Sequence, residues 1–137
     1  MTSVFLDTNI LLDVLLKRDT FYQPAQSIWD LAAHKKIKSF ISALSVSNCF
    51  YIVEKLSSQT NAYSVTETLL TLFDVVAVNE QTLADSLQLR FPDFEDGVQY
   101  QCALQVKADV LITRDPKGFK KSQMLIMDPW QFLESRV

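Results

Sequence analysis

The chain has 137 residues, a length that suits one domain with a substantial hydrophobic core. Hydrophobic residues make up 48% of the sequence, and 16 acidic side chains stand against 13 basic ones. Proteins that hold nucleic acid by overall charge are usually basic, so this balance excludes that mode of binding and requires a local patch or a bound metal. We expect a single domain over residues 1–137.

Two features of the sequence bear on the compartment. Cys49 and Cys102 lie in apolar helical segments and are too few for a disulfide framework, so we interpret them as buried hydrophobic side chains. Asp7 and Asp13 interrupt the apolar N-terminus, which is therefore neither a signal peptide nor a membrane span. We expect a cytoplasmic protein without membrane contact.

The first half of the chain predicts strands and helices in alternation. Residues 4–6 are a short apolar run of the kind that forms a strand buried on both faces, and apolar residues then recur at helical spacing over 10–15. Thr20 is placed to cap a second helix. Residues 37–41 are a second apolar run, and Ser42 follows as the cap of another helix.

The second half of the chain repeats this alternation. Helices are predicted to begin near Asn61, at Asn79 and at Asp128, and a further helix covers about residues 94–107. The remaining strands are predicted at residues 75–78, 110–113 and 125–127. Strands that alternate with helices predict an α/β fold, with a mainly parallel sheet covered on both faces.

Carboxylates follow the predicted strands at the edge where such sheets bind ligands. The first strand leads into Asp7, the strand over 110–113 leads to Asp115, and the helix before it begins with acids that include Glu95 and Asp96. Each acid alone has a structural explanation as a helix cap, a turn residue or a first-turn acid. Acids gathered at one edge repel each other unless a cation neutralises them, so together they indicate a metal site.

Magnesium or manganese is the cation that we expect, because hard divalent ions prefer oxygen ligands. One histidine and two scattered cysteines give no zinc-ligand spacing. Such an ion polarises a phosphodiester and lowers the pKa of bound water, so the residues predict phosphoryl hydrolysis as a reaction class. A small-molecule phosphatase is the less favoured alternative, since only Gly97 and Gly118 are available to cradle a phosphate.

Three segments carry a family resemblance. The sequence reads FLDTNILLD over residues 5–13, FEDGVQ over 94–99 and ITRD over 112–115, with Phe119 a few residues on. In this order and spacing the set resembles PIN domains, the fold of many VapC-like toxin ribonucleases. The resemblance implies a three-layer α/β/α sandwich and a metal-dependent endoribonuclease acting on RNA. It also implies a frequent role as the toxin of a toxin–antitoxin pair, with an antitoxin as partner, and often a homodimer.

The resemblance also assigns residues by position. Asp7, Asp96 and Asp115 match the catalytic acids that bind the metal. Asn9 and Thr113 match the polar residues that orient those acids.

This chain departs from the family pattern on the helix after the second strand, where many PIN domains have a glutamate. The residue here is Asn48, whose single neutral oxygen should bind metal more weakly. Glu95 is a candidate to restore the charge, but adjacent side chains on a helix diverge by about 100°, so we favour a first-turn surface acid. A second departure is Gly118, where the family often has an aspartate.

Basic residues close to the last acid are candidate RNA contacts. They are Arg114, Lys117, Lys120 and Lys121. Groups of this kind bind phosphates, although short lysine runs are more often solvated surface. Our first hypothesis is a metal-dependent endoribonuclease, and the alternative is a degenerate PIN domain that binds RNA or a protein partner without cleavage, which Asn48 motivates.

Overall fold

Five parallel strands form the central sheet within residues 1–119 and 122–136, the part of the chain that our computed structural model describes. The strands are β1 (Ser3–Leu6), β2 (Lys38–Ser42), β3 (Asp74–Val76), β4 (Val110–Ile112) and β5 (Ile126–Met127). Their order in space is β3-β2-β1-β4-β5, and every neighbouring pair is parallel. The connections therefore diverge between β1 and β4, the position at which open α/β sheets bind ligands.

Helices connect the strands, and several begin where the sequence places a capping residue. They are α1 (Thr8–Leu15), α2 (Tyr22–Ala33), α3 (Ala43–Leu56), α4 (Gln59–Leu72), α5 (Glu80–Leu89), α6 (Phe94–Gln105) and α7 (Pro129–Ser135). The side chains of Ser42, Asn79 and Asp128 each accept a hydrogen bond from a first-turn backbone N–H, which confirms these predicted caps.

Helices cover both faces of the sheet. Side chains alternate between the two faces along each strand, so each strand contributes buried residues to both. Val4 and Leu6 of β1 are buried on one face, in a cluster with residues of α1, α2 and α7. Phe5 lies between them and is buried on the opposite face with Val98 and Cys102 of α6. The predicted three-layer α/β/α sandwich with a parallel sheet is confirmed.

Two helix starts differ from the sequence prediction. Thr20 does not cap α2, because its backbone adopts a φ of 75° and Phe21 precedes the helix without a side-chain hydrogen bond. Helix α4 begins at Gln59, since Ser58 accepts a hydrogen bond from the backbone N–H of Asn61. Asn61 is thus the third residue of α4 rather than its first.

The two cysteines behave as apolar core residues. Cys49 and Cys102 are buried and free, which confirms their interpretation. Burial raises the pKa of the Cys49 thiol to about 12 and that of the Cys102 thiol to about 11. In the described part of the chain, no helix combines the length and the apolar character needed to cross a membrane.

Candidate functional site

Asp7 follows β1 and starts the candidate site. The residue is 7% exposed, and Oδ1 accepts hydrogen bonds from the Thr8 backbone N–H (2.8 Å) and the Gln99 amide (3.1 Å). Oδ2 accepts a hydrogen bond of 2.8 Å from the Thr113 hydroxyl. Burial raises the pKa of the Asp7 carboxyl, and the hydrogen bonds from Gln99 and Thr113 offset part of this rise. The carboxylate caps α1 and is also held in a fixed orientation.

Gln99 is a site residue that the sequence analysis did not single out. It is fully buried on α6, where Nε2 also donates to Ser45 Oγ (2.8 Å) and Oε1 accepts from the Ser42 hydroxyl (2.6 Å). One amide thus joins α6 to the start of α3 and to Asp7. The sequence holds one signal for this role, because Gln99 directly follows Val98 on the core-facing side of the helix. A glutamine at such a position is buried, and a buried amide requires polar partners.

Thr113 and Asn9 hold the loop after β4 against the end of β1. Thr113 Oγ1 accepts hydrogen bonds from the Asp115 backbone N–H (3.2 Å) and from the Asn9 amide (3.3 Å). Asn9 Oδ1 in turn accepts a hydrogen bond of 3.1 Å from the Arg114 backbone N–H. The two side chains therefore lie where the resemblance predicts residues that orient Asp7.

An acidic cleft at Asp7 contains five of the predicted site residues, which are Asp7, Asn9, Asn48, Glu95 and Asp96. Its volume is about 530 Å³, and it is lined by Asp7, Thr8, Asn9, Leu12, Asn48, Tyr51, Ile52, Asp93, Glu95 and Asp96. Asp115 is exposed and lies outside this lining, although its charge acts on Asp96. The structure thus brings two of the three predicted acids into one cleft and places the third beside it.

Asp96 is the electrostatic centre of the cleft. Its pKa is raised to about 7, first by burial and then by the negative charges of Asp7, Asp93, Asp115 and Glu95. Within residues 1–119 and 122–136, no lysine or arginine forms an ion pair with Asp7, Glu95 or Asp96. Carboxylates that repel each other without a counter-charge favour a cation, and their oxygen donors suit Mg²⁺ or Mn²⁺.

The carboxylates fit such an ion in their chemistry but are not assembled around it. Among the described residues, no three histidine, cysteine, aspartate or glutamate side chains are close enough together to hold a metal ion. Mg²⁺ commonly keeps several waters and uses only one or two carboxylates. The donor set is therefore compatible with an ion that has few protein ligands.

Asn48 and Glu95 meet across the cleft. Asn48 Nδ2 donates a hydrogen bond of 3.0 Å to Glu95 Oε1. Burial and then the charges of Asp7 and Asp93 raise the pKa of the Glu95 carboxyl, and the hydrogen bond from Asn48 opposes this rise. Glu95 thus lines the cleft together with Asp96, whereas its angular position on the helix predicted a separate surface. The amide of Asn48 accounts for the difference because it binds the carboxylate.

The Asp96 carboxylate lies against Gly118, which has no side chain to displace it. Gly118 lies in a 3-10 turn over Pro116–Phe119, and its backbone N–H donates to the Asp115 carbonyl (3.2 Å). A Cβ atom at position 118 would be 2.6 Å from Asp96 Oδ2. The aspartate that PIN domains often have at this position would collide with Asp96 in this conformation.

The order of these segments agrees with one family model. A model of the PIN domain matches residues 3–117, a range that includes Asp7, Asp96 and Asp115. The chain belongs to the PIN domain family. A comparison with curated proteins gives no match.

Solved structures share the fold of this PIN domain. A toxin–antitoxin complex from Klebsiella pneumoniae is 20% identical, covers 92% of this chain and 97% of its own, and has a TM-score of 0.70. VapBC2 from Rickettsia felis, bound to a promoter DNA fragment, is 20% identical over 93% of this chain and 98% of its own, with a TM-score of 0.70. VapC20 from Mycobacterium tuberculosis, a toxin that cleaves the sarcin–ricin loop, is 13% identical over 79% of this chain and 86% of its own, with a TM-score of 0.65. At these identities the likeness shows the fold.

The basic residues near Asp115 have different surroundings in this PIN domain. Arg114 Nε lies 2.9 Å from Asp13 Oδ2, and the guanidinium carbon lies 4.1 Å from the centre of the Phe21 ring. A quarter of the Arg114 side chain remains exposed, whereas Lys117 is exposed on the 3-10 turn. The predicted contacts at Lys120 and Lys121 fall outside the described residues.

Proposed function

We propose that this PIN domain is a Mg²⁺- or Mn²⁺-dependent endoribonuclease that hydrolyses phosphodiester bonds in RNA. The observation that carries the proposal is the Asp96 carboxyl, whose pKa is raised to about 7 by burial and by four neighbouring acids. Repulsion of this kind is unfavourable for the fold, and a divalent ion relieves it by binding the same oxygens. The fold shared with VapC20, which cleaves an RNA loop, supports RNA as the substrate.

We propose that Asp7, Asp96 and Asp115 hold the ion, one or two of them directly and the rest through its bound waters, with Asn48 and Glu95 as supporting groups. When bound, the ion supplies positive charge that polarises a phosphodiester and lowers the pKa of water. Asp7 is a ligand with a fixed orientation, because hydrogen bonds hold both of its oxygens. Asp115 is exposed and approaches from the loop after β4.

The proposal extends to the protein's partners. The fold shared with a toxin–antitoxin complex supports a role as the toxin of such a pair, with an antitoxin as a protein partner. We further propose a homodimer in the cytoplasm. Contacts with RNA phosphates at Arg114, Lys117, Lys120 and Lys121 belong to the same proposal.

Cleavage of a mixed structured RNA with Mn²⁺ tests the proposal. We expect the wild-type protein to cut the RNA and Asp96→Asn to reduce the rate by about 100-fold, a typical effect of removing a group that stabilises transition-state charge. Asp96 is a better target than Asp7, because an asparagine at position 7 would turn an amide N–H towards the donors that now bind the carboxylate. Asp74→Asn is the matched control, since Asp74 is an exposed acid at the start of β3, away from the cleft.

Equal cleavage by the wild type and by Asp96→Asn would exclude this site. If neither protein cleaves and Asp74→Asn is also inactive, the alternative function is favoured.

That alternative is a PIN domain that binds RNA or a protein without cutting, and the observation that favours it is the neutral Asn48. Calorimetry with Mn²⁺ separates the two functions. Binding at or below the millimolar range supports the nuclease, and its absence supports the non-cutting domain. Activity that appears only in Asn48→Glu would also support the non-cutting domain.

A further inference from the structure

We infer that helix α3 carries a track for unpaired RNA, in which Tyr51 stacks on a nucleobase beside the acidic cleft and Lys55 contacts the adjoining backbone phosphate. The inference rests on the proposed function as an RNA-cutting enzyme. It adds two residues of α3 that contact the RNA beside the acids, one through a base and one through a phosphate.

Tyr51 is an exposed aromatic ring in the lining of the cleft. The residue is 64% exposed, and it lines the cleft together with Asp7 and Asp96. It lies one helical turn beyond Asn48, so the ring is next to the proposed metal position. A nucleotide whose phosphate reaches the acids would therefore bring its base, or a neighbouring base, to this ring.

A neighbouring aromatic ring packs against Tyr51 and limits the orientation of its side chain. Phe50 packs against it edge to face, with ring centres 5.2 Å apart and planes at 78°. Phe50 makes a similar contact with Tyr63 of α4, at 4.9 Å and 76°. Tyr63 is 60% exposed but does not line the cleft, so it resembles Tyr51 in exposure and in its contact with Phe50 but not in its position beside the acids.

Lys55 continues the same side of α3. It is exposed and lies four residues after Tyr51, about 6 Å further along the helix axis. In residues 1–119 and 122–136, no carboxylate forms an ion pair with its ammonium group. One side of α3 therefore carries three groups in a row at helical spacing. They are the Asn48 amide in the cleft, the Tyr51 ring and the ammonium group of Lys55.

The charge of the protein explains why stacking is needed. The formal net charge is −3, and the cleft itself is lined by acids, so the RNA backbone is repelled in the absence of metal. Stacking of bases on aromatic side chains adds affinity without charge and accepts every base. A duplex offers no free base face for this contact, since its bases are already stacked and paired.

Fluorescence anisotropy with a labelled single-stranded RNA, and with the duplex of the same strand, tests the track. The titrations are done in EDTA, so that binding is measured without cleavage. We expect Tyr51→Ala to weaken single-strand binding by about 10-fold, Tyr51→Trp to retain it, and Tyr63→Ala to stay within about twofold of the wild type. A 2-aminopurine base in the RNA should be quenched on binding to the wild type and not on binding to Tyr51→Ala.

Tyr63→Ala is the decisive control, because it removes a similar edge-to-face contact with Phe50 at a residue that does not line the cleft. An equal loss in both alanine variants, no loss in Tyr51→Ala, or equally tight binding of the duplex overturns the track. Tyr51→Leu replaces Tyr51→Ala if thermal unfolding shows that the alanine variant is not folded.

A salt titration tests the role of Lys55. Lys55→Gln should lower the slope of log K against log salt by about 0.7, the value for one single-strand phosphate contact. Lys36→Gln, at the opposite end of the sheet before β2, should leave the slope unchanged. If the wild type cuts RNA while Tyr51→Ala and Lys55→Gln bind like it, the track alone is wrong; if the wild type neither binds nor cuts RNA, the proposed function fails as well.

Discussion

The side-chain amide of Asn48 on α3 donates a hydrogen bond of 3.0 Å to Oε1 of Glu95 on α6. The neutral residue at the position where many PIN domains have a glutamate is thus in contact with a glutamate from another helix. Burial and the charges of Asp7 and Asp93 raise the pKa of the Glu95 carboxyl, so this acid interacts electrostatically with the other acids of the cleft. We expect Glu95 to restore the negative charge that Asn48 lacks.

Glu95→Gln should weaken Mn²⁺ binding by about 10-fold, because affinity for hard ions depends on the number of charged oxygens around the site. Glutamine still accepts the hydrogen bond from Asn48, so the variant removes charge with little change in geometry. Calorimetry measures the affinity. Glu80→Gln is the control, since Glu80 is a first-turn acid on α5 outside the cleft; wild-type affinity in Glu95→Gln would leave Glu95 as a surface acid.

Gly118→Ala should impair metal binding and activity without unfolding the protein. The new Cβ would be 2.6 Å from Asp96 Oδ2, so the carboxylate must rotate away from its present position. Because the displaced group is the end of a side chain, the cost in stability is small, and we expect an activity loss of about 10-fold. Initial cleavage rates and urea unfolding measure the two effects.

Gly97→Ala is the matched control for the Gly118 variant. A Cβ atom at Gly97 would meet the Ser86 carbonyl oxygen at 3.5 Å, which is an ordinary contact. Alanine is favoured over glycine inside a helix, so we expect stabilisation of about 0.5 kcal/mol and normal activity. Normal activity in Gly118→Ala as well would mean that the position of the Asp96 carboxylate is not critical.

The sequence predicts that the acids lie at one edge of the sheet, but it does not predict which side chains bind and orient them. Asp7 follows a short apolar run, so a local pattern is enough to place it at the end of a buried strand. Its partner Gln99 is 92 positions away, and the contact depends on how α6 packs against β1. Glu95 reaches the cleft through a contact with another helix, and Arg114 turns inward because Asp13 is buried on α1. Each of these depends on tertiary packing, which periodicity does not encode.

Arg114→Met should destabilise the protein by about 3 kcal/mol, because it leaves a buried charge without its main partner. Asp13 has no exposed side-chain surface, and its carboxylate lies 2.9 Å from Arg114 Nε and 3.5 Å from Arg18 Nη1. Burial raises the pKa of Asp13, and the charges of Arg114 and then Arg18 oppose this rise. Urea unfolding measures the loss.

The double variant Asp13→Leu with Arg114→Met should recover most of the lost stability, since it removes both charges and fills the site with apolar atoms. Arg136→Met is the control at an exposed arginine after α7, with an expected change within about 0.5 kcal/mol. A single Arg114→Met variant as stable as the control would show that Asp13 does not depend on this ion pair.

The stability of the metal-free protein should fall as the pH rises from about 4 to about 7. The pKa of Asp96 is about 7 in the fold, compared with an ordinary value of 3.8. Between these values the folded state binds a proton that the unfolded chain has released, so the free energy of unfolding decreases with pH. The raised pKa values of Asp7 and Glu95 act in the same direction. Urea unfolding in EDTA across this range measures the slope.

Mn²⁺ should reverse this trend, because the ion binds the ionised carboxylates and displaces the proton from Asp96. The increase in unfolding free energy caused by Mn²⁺ should therefore grow with pH and level off above about 7. Asp96→Asn should show a shallower slope in EDTA and a smaller response to Mn²⁺, whereas Asp74→Asn should behave like the wild type. Stability that rises with pH in EDTA, or an Asp96→Asn slope equal to that of the wild type, would show that Asp96 does not hold the proton in the folded state.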